Sequence, residues 1–338
     1  MNSPIGSNTH EGLLWARARR SALLLVVGVL VASAIIRAAG QATRRAEPQQ
    51  MPPDLWPDRP PLVGVAHIGL YVSDLEAARH FYGHVLGYDE AFKLNKPDGS
   101  LMLVYFKVND HQYIEIFPRL KSPDQDRLSH VAFETTNARA LRDYLAARGV
   151  GVPDHLKPGL DGNLSFMATD PDGHHVEFVQ YLPGSLHTRN FGKSLSATRL
   201  SDHLEHVGVA VTDRAAADKF YKQILGFRLG WHGGRTDTGT DWVDMVVPEG
   251  KDWLEYMLNV NNPTPRQLGV MHHLSLRVPS VQAAFRIVTE RGYKAGEPKV
   301  GRDGKWQLNL YDPDGTRAEL MEPTPVETPC CSPIPDWQ

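Results

Sequence analysis

The sequence predicts an α+β fold that consists of four copies of one β-α-β-β-β module within 338 residues. Three features repeat: a strand-like segment with a histidine, a helical pattern after it, and a closing strand-like segment with a glutamate. The spacing from histidine to glutamate is 48, 47, 49 and 46 residues in the four copies. Because insertions in loops would change this spacing freely, its near constancy indicates one repeated structural unit.

The histidine segments define the first strand of each module. Residues 66–72 (AHIGLYV) recur as residues 205–211 (EHVGVAV), and weaker copies lie at residues 129–133 (SHVAF) and 272–278 (HHLSLRV). Each copy alternates in the way that is typical of a strand.

A helix is expected after each first strand, because a capping residue precedes each helical pattern and a glycine follows it. The first and third helices share a Phe-Tyr pair, at residues 81–82 and 220–221. The predicted N-terminal caps are Asp74, Asn137, Asp213 and Ser280.

The last strand of each module carries the glutamate. In the second and fourth modules an Asp-Pro-Asp-Gly turn precedes this strand, at residues 170–173 and 312–315. Proline fixes φ for such a turn and glycine supplies a positive φ. The four glutamates are Glu115, Glu177, Glu255 and Glu319.

The lengths of the connections predict two domains. Only 14 residues separate Glu115 from His130, and 17 separate Glu255 from His273. By contrast, 28 residues separate Glu177 from His206. Short connections favour pairing of neighbouring modules, although a swapped order stays open. We predict domains at residues 61–183 and 201–323, a linker at 184–200 and a Pro-rich tail at 324–338.

Residues 1–40 have the features of an export signal. Three arginines at positions 17, 19 and 20 precede residues 21–36, which carry no charge, and small residues follow at 38–40. Residues 41–60 are polar and Pro-rich, as in a tether. We therefore expect an exported protein, periplasmic or secreted. If the signal is retained, residues 21–39 would attach the protein to a membrane.

Composition excludes some classes of function. The formal net charge of −3 provides no general attraction for nucleic acid. The two cysteines are adjacent, at positions 330 and 331, which excludes a disulfide framework and a cysteine-based zinc site in the body of the protein. A small molecule is the expected partner.

Histidine and glutamate at one register in all four modules predict a metal site in each domain. A buried carboxylate needs a compensating positive charge, which a metal ion supplies. Two imidazoles and two carboxylates per domain suit Zn, Ni, Fe(II) or Mn. The candidate ligands are His67, Glu115, His130 and Glu177 in the first domain, and His206, Glu255, His273 and Glu319 in the second.

Two further patterns refine this prediction. The residues two positions after the histidines are small, which leaves space for a metal and a substrate on the same strand face. They are Gly69, Ala132, Gly208 and Ser275. In the doublet His272-His273, the register of the other modules assigns the ligand to His273, because His272 would face the opposite side of the strand.

These motifs resemble the vicinal oxygen chelate superfamily, which includes glyoxalase I, extradiol dioxygenases, and fosfomycin and bleomycin resistance proteins. The resemblance covers roughly residues 61–323. It implies that each pair of modules curls into a half-barrel around a metal ion that holds two vicinal oxygens of a substrate.

The resemblance leaves three functions open. We favour a glyoxalase-I-like isomerase or lyase, in which a ligand glutamate, Glu177 or Glu319, also moves a proton. An Fe(II)-dependent extradiol dioxygenase would use His206, His273 and Glu319. A non-catalytic binding or resistance protein is the third possibility, with Trp242, Trp253 and Trp306 as candidate walls for a planar ligand.

One departure counts against the dioxygenase. That family implies a further histidine and a tyrosine shortly before the Asp-Pro turn. Residues 304–311 contain no histidine, and their tyrosine directly adjoins Asp312. His232 is a possible substitute for the missing histidine.

Overall fold

The histidine segments lie on first strands in the computed structural model, which describes residues 58–260 and 262–335. All of these residues belong to one compact unit, Met51–Gln338. The strands of modules 1 and 2 are β1 (Leu62–Tyr71), β2 (Glu90–Asn95), β3 (Leu101–Lys107), β4 (Tyr113–Phe117), β5 (Leu128–Thr135), β6 (Leu164–Thr169) and β7 (His175–Gln180). The strands of modules 3 and 4 are β8 (Leu204–Ala210), β9 (Arg228–Gly233), β10 (Trp242–Val246), β11 (Trp253–Met257), β12 (His273–Arg277), β13 (Lys299–Val300), β14 (Trp306–Tyr311) and β15 (Arg317–Met321).

Each module contains the expected helix. The side chains of all four predicted caps accept hydrogen bonds from backbone amides in the first helical turn. Two of the helices continue with π-helical geometry. The helices are α1 (Leu75–Ala78, continued by Arg79–Val85), α2 (Ala138–Ala147), α3 (Leu186–Arg189), α4 (Arg214–Ala217, continued by Asp218–Ile224), α5 (Pro265–Met271) and α6 (Val281–Glu290).

The strands form two mixed sheets, which confirms the predicted α+β class and the two half-barrel domains. The first sheet joins modules 1 and 2 in the order β2-β3-β4-β1-β5-β7-β6. The second joins modules 3 and 4 in the order β13-β14-β15-β12-β8-β11-β10-β9. In each sheet the two histidine strands are antiparallel neighbours at the centre, and a glutamate strand runs parallel to each on its outer side.

Alternation along β1 places its histidine on the sheet face opposite the main hydrophobic cluster. Ile68 and Leu70 of β1 are buried in the main hydrophobic cluster. Because neighbouring strand residues point to opposite faces, His67 and Gly69 lie on the other face, away from that cluster. Alternation therefore separates the core from the candidate site along the same strand.

The two motifs that occur in alternate modules meet across the domains. The hydroxyl of Tyr82, from the Phe-Tyr pair of module 1, donates a hydrogen bond to Asp312 in the turn of module 4, at 3.0 Å. Tyr221 of module 3 likewise donates to Asp170 in the turn of module 2, at 2.9 Å. The Phe-Tyr helices and the Asp-Pro-Asp-Gly turns thus hold the two domains together.

Some predicted segments lie partly or wholly outside the described residues. The export signal and nearly all of the tether are among them. Of the helices within the described ranges, none has both the length and the hydrophobicity needed to span a bilayer.

The Pro-rich tail contacts β9, where the indole of Trp231 donates to the carbonyl of Cys330 at 3.1 Å. The predicted linker contains α3.

Candidate metal centres

The first centre lies where β1, β4, β5 and β7 run side by side. The Nε2 atoms of His67 and His130 are 2.9 Å apart. A carboxylate oxygen of Glu177 lies 3.2 Å from Nε2 of His67 and 3.1 Å from Nε2 of His130. Glu115 approaches the same two nitrogens at 3.4 and 3.5 Å. All four residues predicted for this domain therefore converge on one point.

The second centre repeats this arrangement. The Nε2 atoms of His206 and His273 are 3.1 Å apart. Glu319 lies 3.4 Å from Nε2 of His206, and Glu255 lies 3.3 Å from Nε2 of His273. Among the residues that the structure describes, two groups have ligand atoms that all lie within 4.8 Å of one another. They are His67, His130 and Glu177, and His206, His273 and Glu319.

The glycines of the histidine strands are required by the neighbouring imidazole. A Cβ atom on Gly69 would overlap the ring of His130, and one on Gly208 would overlap the ring of His273. Ala132 and Ser275 are the residues opposite His67 and His206 in the antiparallel pairs. Gly69 and Gly208 thus make room for the imidazole of the partner module, whereas the sequence predicted space for a metal and a substrate.

Charges in the first centre distinguish its two glutamates. Burial acts to raise the pKa of Glu177, but hydrogen bonds from His130 and His67 outweigh it, and the pKa lies well below its usual value. For Glu115, burial prevails and the pKa is raised. Burial acts to lower the pKa of His67, but the charges of Glu115 and Glu177 raise it to about 9.

The second centre shows the same division between its glutamates. Burial opposes ionisation of Glu319, but the charge of Arg317 and the contact with His206 lower its pKa to about 2. Burial raises the pKa of Glu255. The pKa of His273 lies well below its usual value because of burial and the charge of Arg317. Each centre thus has one firmly ionised carboxylate and one that holds a proton more readily.

The donor set of the first centre fits a divalent cation, and that of the second fits one once Arg317 turns away from Nε2 of His273. Two imidazole nitrogens converge with carboxylate oxygens, and glycine leaves the space that the rings need. Such a set of nitrogen and oxygen ligands suits Zn, Ni, Fe(II) or Mn.

Comparison with known families agrees with this geometry. The family model of the Glyoxalase/Bleomycin resistance protein/Dioxygenase superfamily matches residues 64–178 and 203–320. The chain belongs to this superfamily. Its members, the vicinal oxygen chelate enzymes, use divalent metal ions and bind small-molecule substrates, and both centres of this chain could hold such an ion.

Two curated relatives within the superfamily carry out different reactions. The chain is 32% identical over 129 residues to an ethylmalonyl-CoA/methylmalonyl-CoA epimerase of Cereibacter sphaeroides, which covers 35% of this chain and 96% of the epimerase. It is 30% identical over 174 residues to an iron-dependent extradiol dioxygenase of Rhodococcus jostii, which covers 49% of this chain. The match spans about half of the dioxygenase, 54% of its length.

Solved structures of the superfamily share the fold. The 2,3-dioxygenase LapB of Pseudomonas sp. KL28 aligns over 80% of this chain and 97% of its own, with a TM-score of 0.59 and 19% identity. The Mn(II)-bound glyoxalase of Novosphingobium aromaticivorans aligns over 78% of this chain and 83% of its own, with a TM-score of 0.60 and 17% identity. The two-domain fold therefore accommodates more than one chemistry.

The second centre opens into a cavity of about 210 Å³. Trp242 and Trp253 line it, as predicted for a planar ligand, together with Trp231. Trp306 instead packs against the hydrophobic core. His232 adjoins Trp231 on β9 and is absent from the lining, because successive strand residues face opposite sides.

Arg317 distinguishes the second centre from the first. Its guanidinium lies 2.7 Å from Nε2 of His273 and 3.8 Å from Glu255. The equivalent residue of module 2, two positions before Glu177, is the exposed His175. Arg317 is not among the site residues predicted from the sequence, although its position two residues before Glu319 places it on the same strand face.

The structure places the two histidines of the doublet in different surroundings. Nε2 of His273 faces His206, while His272 lies at the end of α5 with Nδ1 2.9 Å from Asp126. His272 is buried beside His174.

We expect His273→Ala to empty the second centre and His272→Ala to leave it filled, because only His273 presents a nitrogen to the converging ligands. Metal content per chain, measured in a protein whose first centre is inactivated by His67→Ala, tests this expectation. A filled centre in His273→Ala would show that the assigned register is wrong.

Proposed function

We propose that the chain is a divalent-metal-dependent isomerase or lyase that moves a proton at a carbon next to a carbonyl group, on a small substrate with vicinal oxygens. The observation that carries this proposal is the second carboxylate in each centre. Glu115 and Glu255 approach the imidazoles in addition to the triads. A proton-transfer reaction needs such a base beside the metal.

The geometry favours these two glutamates as the bases. The sequence assigned proton transfer to Glu177 and Glu319, but these two complete the tight triads and have lowered pKa values. Burial raises the pKa of Glu115 and Glu255, so each carboxylate binds a proton more strongly than an exposed glutamate does. We therefore keep Glu177 and Glu319 as ligands.

The reaction then follows from the residues of the chain. A bound cation supplies Lewis-acid polarisation of the substrate carbonyl. Glu115 or Glu255 removes the proton from the adjacent carbon and returns it to the same or the neighbouring carbon. Glu115 is 5% exposed and the side chain of Glu255 is 13% exposed, which limits exchange of the abstracted proton with water. The epimerase relative supports this proposal, since epimerisation inverts a carbon centre.

Deuterium exchange tests the proposal directly. The protein is loaded with Co(II), Ni(II), Mn(II) or Zn(II) and incubated in D₂O with methylmalonyl-CoA, and separately with the hemithioacetal of a 2-oxoaldehyde. Deuterium at the carbon next to the carbonyl, without oxygen consumption, is the expected result. Absence of exchange with every metal, together with oxygen uptake on catechols, would contradict it.

Extradiol dioxygenation is the second candidate, favoured by one observation. The second centre combines a triad of two histidines and one glutamate with a cavity walled by tryptophans, which suits an aromatic ring. One observation counts against it: Tyr311, the tyrosine before the turn, is exposed and does not line the cavity. Oxygen uptake by Fe(II)-loaded protein with catechol would establish this function.

We also propose that residues 1–40 direct export and that residues 21–39 attach the protein to a membrane if the signal is retained. Because the predicted modules begin after these residues, a protein that starts at Gln41 should be soluble and unfold at the same temperature as the full chain. Thermal unfolding of both forms measures this. Insolubility of the shorter form would show that the apolar segment contributes to the fold.

A further inference from the structure

The short helix α3 places His187 against aromatic side chains of the first sheet. The ring of His187 contacts four aromatic side chains at centroid distances of 4.7 to 5.3 Å. They are Phe92, Tyr105, Tyr113 and Tyr181. Tyr105 pairs with Glu115 across the strands, and Tyr113 precedes Glu115 by two residues. This aromatic cluster therefore adjoins the first metal centre.

Hydrogen bonds fix the tautomer of His187. The backbone amide of Leu182 donates to the side-chain oxygen of Asn163 at 3.0 Å, which orients the amide nitrogen of Asn163 towards the imidazole. That nitrogen donates to Nδ1 of His187 at 2.7 Å and to Asp161 at 2.6 Å. Because Nδ1 accepts a hydrogen bond, the ring hydrogen lies on Nε2.

Two polar groups in this cluster lack a partner. Nε2 of His187 and the hydroxyl of Tyr113 are buried and make no hydrogen bond. The side chain of His187 is only 2% exposed and Tyr113 is fully buried. Burial, together with the charge of His67, lowers the pKa of His187 to about 3, so the ring is neutral. Unpaired buried donors are unfavourable, and an oxygen of a ligand that accepts from them would relieve this cost.

We propose that Nε2–H of His187 and the hydroxyl of Tyr113 form an oxygen-binding pair, which donates hydrogen bonds to a carbonyl or enolate oxygen of the substrate in the first domain. This inference rests on the proposed function, because it supplies the place where negative charge develops after proton removal. The surrounding rings of Phe92, Tyr105 and Tyr181 restrict the ligand to a small, flat molecule.

Oxalate, a planar dianion with vicinal oxygens, is a suitable probe. All proteins carry His273→Gln, which confines Co(II) to the first centre. Calorimetry then measures Co(II) binding and oxalate binding separately for the parent, His187→Gln and Tyr113→Phe. Tyr88→Phe is the control, since Tyr88 is a buried tyrosine in the main core cluster.

We expect the Kd for oxalate to rise about tenfold in His187→Gln and in Tyr113→Phe, since each loses one hydrogen bond to an anion. The Kd for Co(II) should change less than twofold, and the control should match the parent. In the Zn(II)-loaded parent labelled with ¹⁵N-histidine, the Nε2–H proton signal of His187 should move downfield when oxalate is added. A merely structural histidine would not show this shift.

The readouts separate two failures. A parent that binds no Co(II) contradicts the proposed function and the inference that rests on it. A parent that binds Co(II) but not oxalate, or variants whose oxalate Kd stays within twofold of the parent, overturns the oxygen-binding pair alone. If His187→Gln weakens Co(II) and oxalate binding together, Tyr113→Phe decides the outcome, because it removes only one hydroxyl.

Discussion

Glu115→Gln should lower kcat by about 10²- to 10⁴-fold while the first centre keeps its metal ion. Glutamine has nearly the shape of glutamate but cannot accept the proton. The triad of His67, His130 and Glu177 stays intact in this variant, so a metal ion remains held. Steady-state kinetics on the substrate identified by deuterium exchange, with metal content measured on the same samples, test the prediction.

Glu255→Gln is the matched variant in the second domain. Loss of activity in only one of the two variants would identify the working domain, and partial loss in each would show that both work. Glu134→Gln is the control, because Glu134 pairs with the exposed His111 outside both centres. Full activity in the double variant Glu115→Gln/Glu255→Gln would refute the assignment of the bases. Parallel loss of metal and activity would make Glu115 a ligand instead.

The repeated module explains why so much of the fold could be predicted. A histidine strand, a capped helix and a glutamate strand are local patterns, and four copies fix their boundaries relative to one another. The same register favours His273 over His272 as the residue that faces the partner histidine, and Nε2 of His273 lies 3.1 Å from Nε2 of His206. The sheet face to which a strand residue points can be inferred from the sequence, because successive residues alternate between only two orientations.

Tertiary contacts account for what the sequence left open. Glu115 and Glu177 are equivalent by register, and only their distances to the histidines and the opposite shifts of their pKa values support the proposed division into base and ligand. His187 belongs to a four-residue helix in the predicted linker, where no period relates it to a metal centre. The contact between Tyr82 and Asp312 joins residues 230 positions apart, so no local pattern could reveal it.

The metal affinity of the first centre should rise about 50-fold between pH 7 and pH 9. The pKa of His67 is raised to about 9 in the metal-free centre, so this imidazole carries a proton at pH 7. A metal ion binds only the neutral ring, and one proton must leave for each ion bound. Affinity therefore increases about tenfold for each pH unit well below the pKa of His67 and levels off as the pH approaches that pKa.

The second centre should respond less to pH, by under about tenfold over the same range, because the pKa of His273 lies well below its usual value and this ring is already neutral at pH 7. Competition with a chelator measures the metal affinity of each centre alone, with His273→Gln for the first and His67→Gln for the second.

The raised pKa of His67 also makes the stability of the metal-free protein depend on pH. Since the folded pKa of His67 is raised, its charged form stabilises the protein fully below about pH 6.5, and this contribution is lost as the pH rises through about 9. If the metal affinities of His273→Gln and His67→Gln change equally with pH, the carboxylates around His67 do not retain its proton.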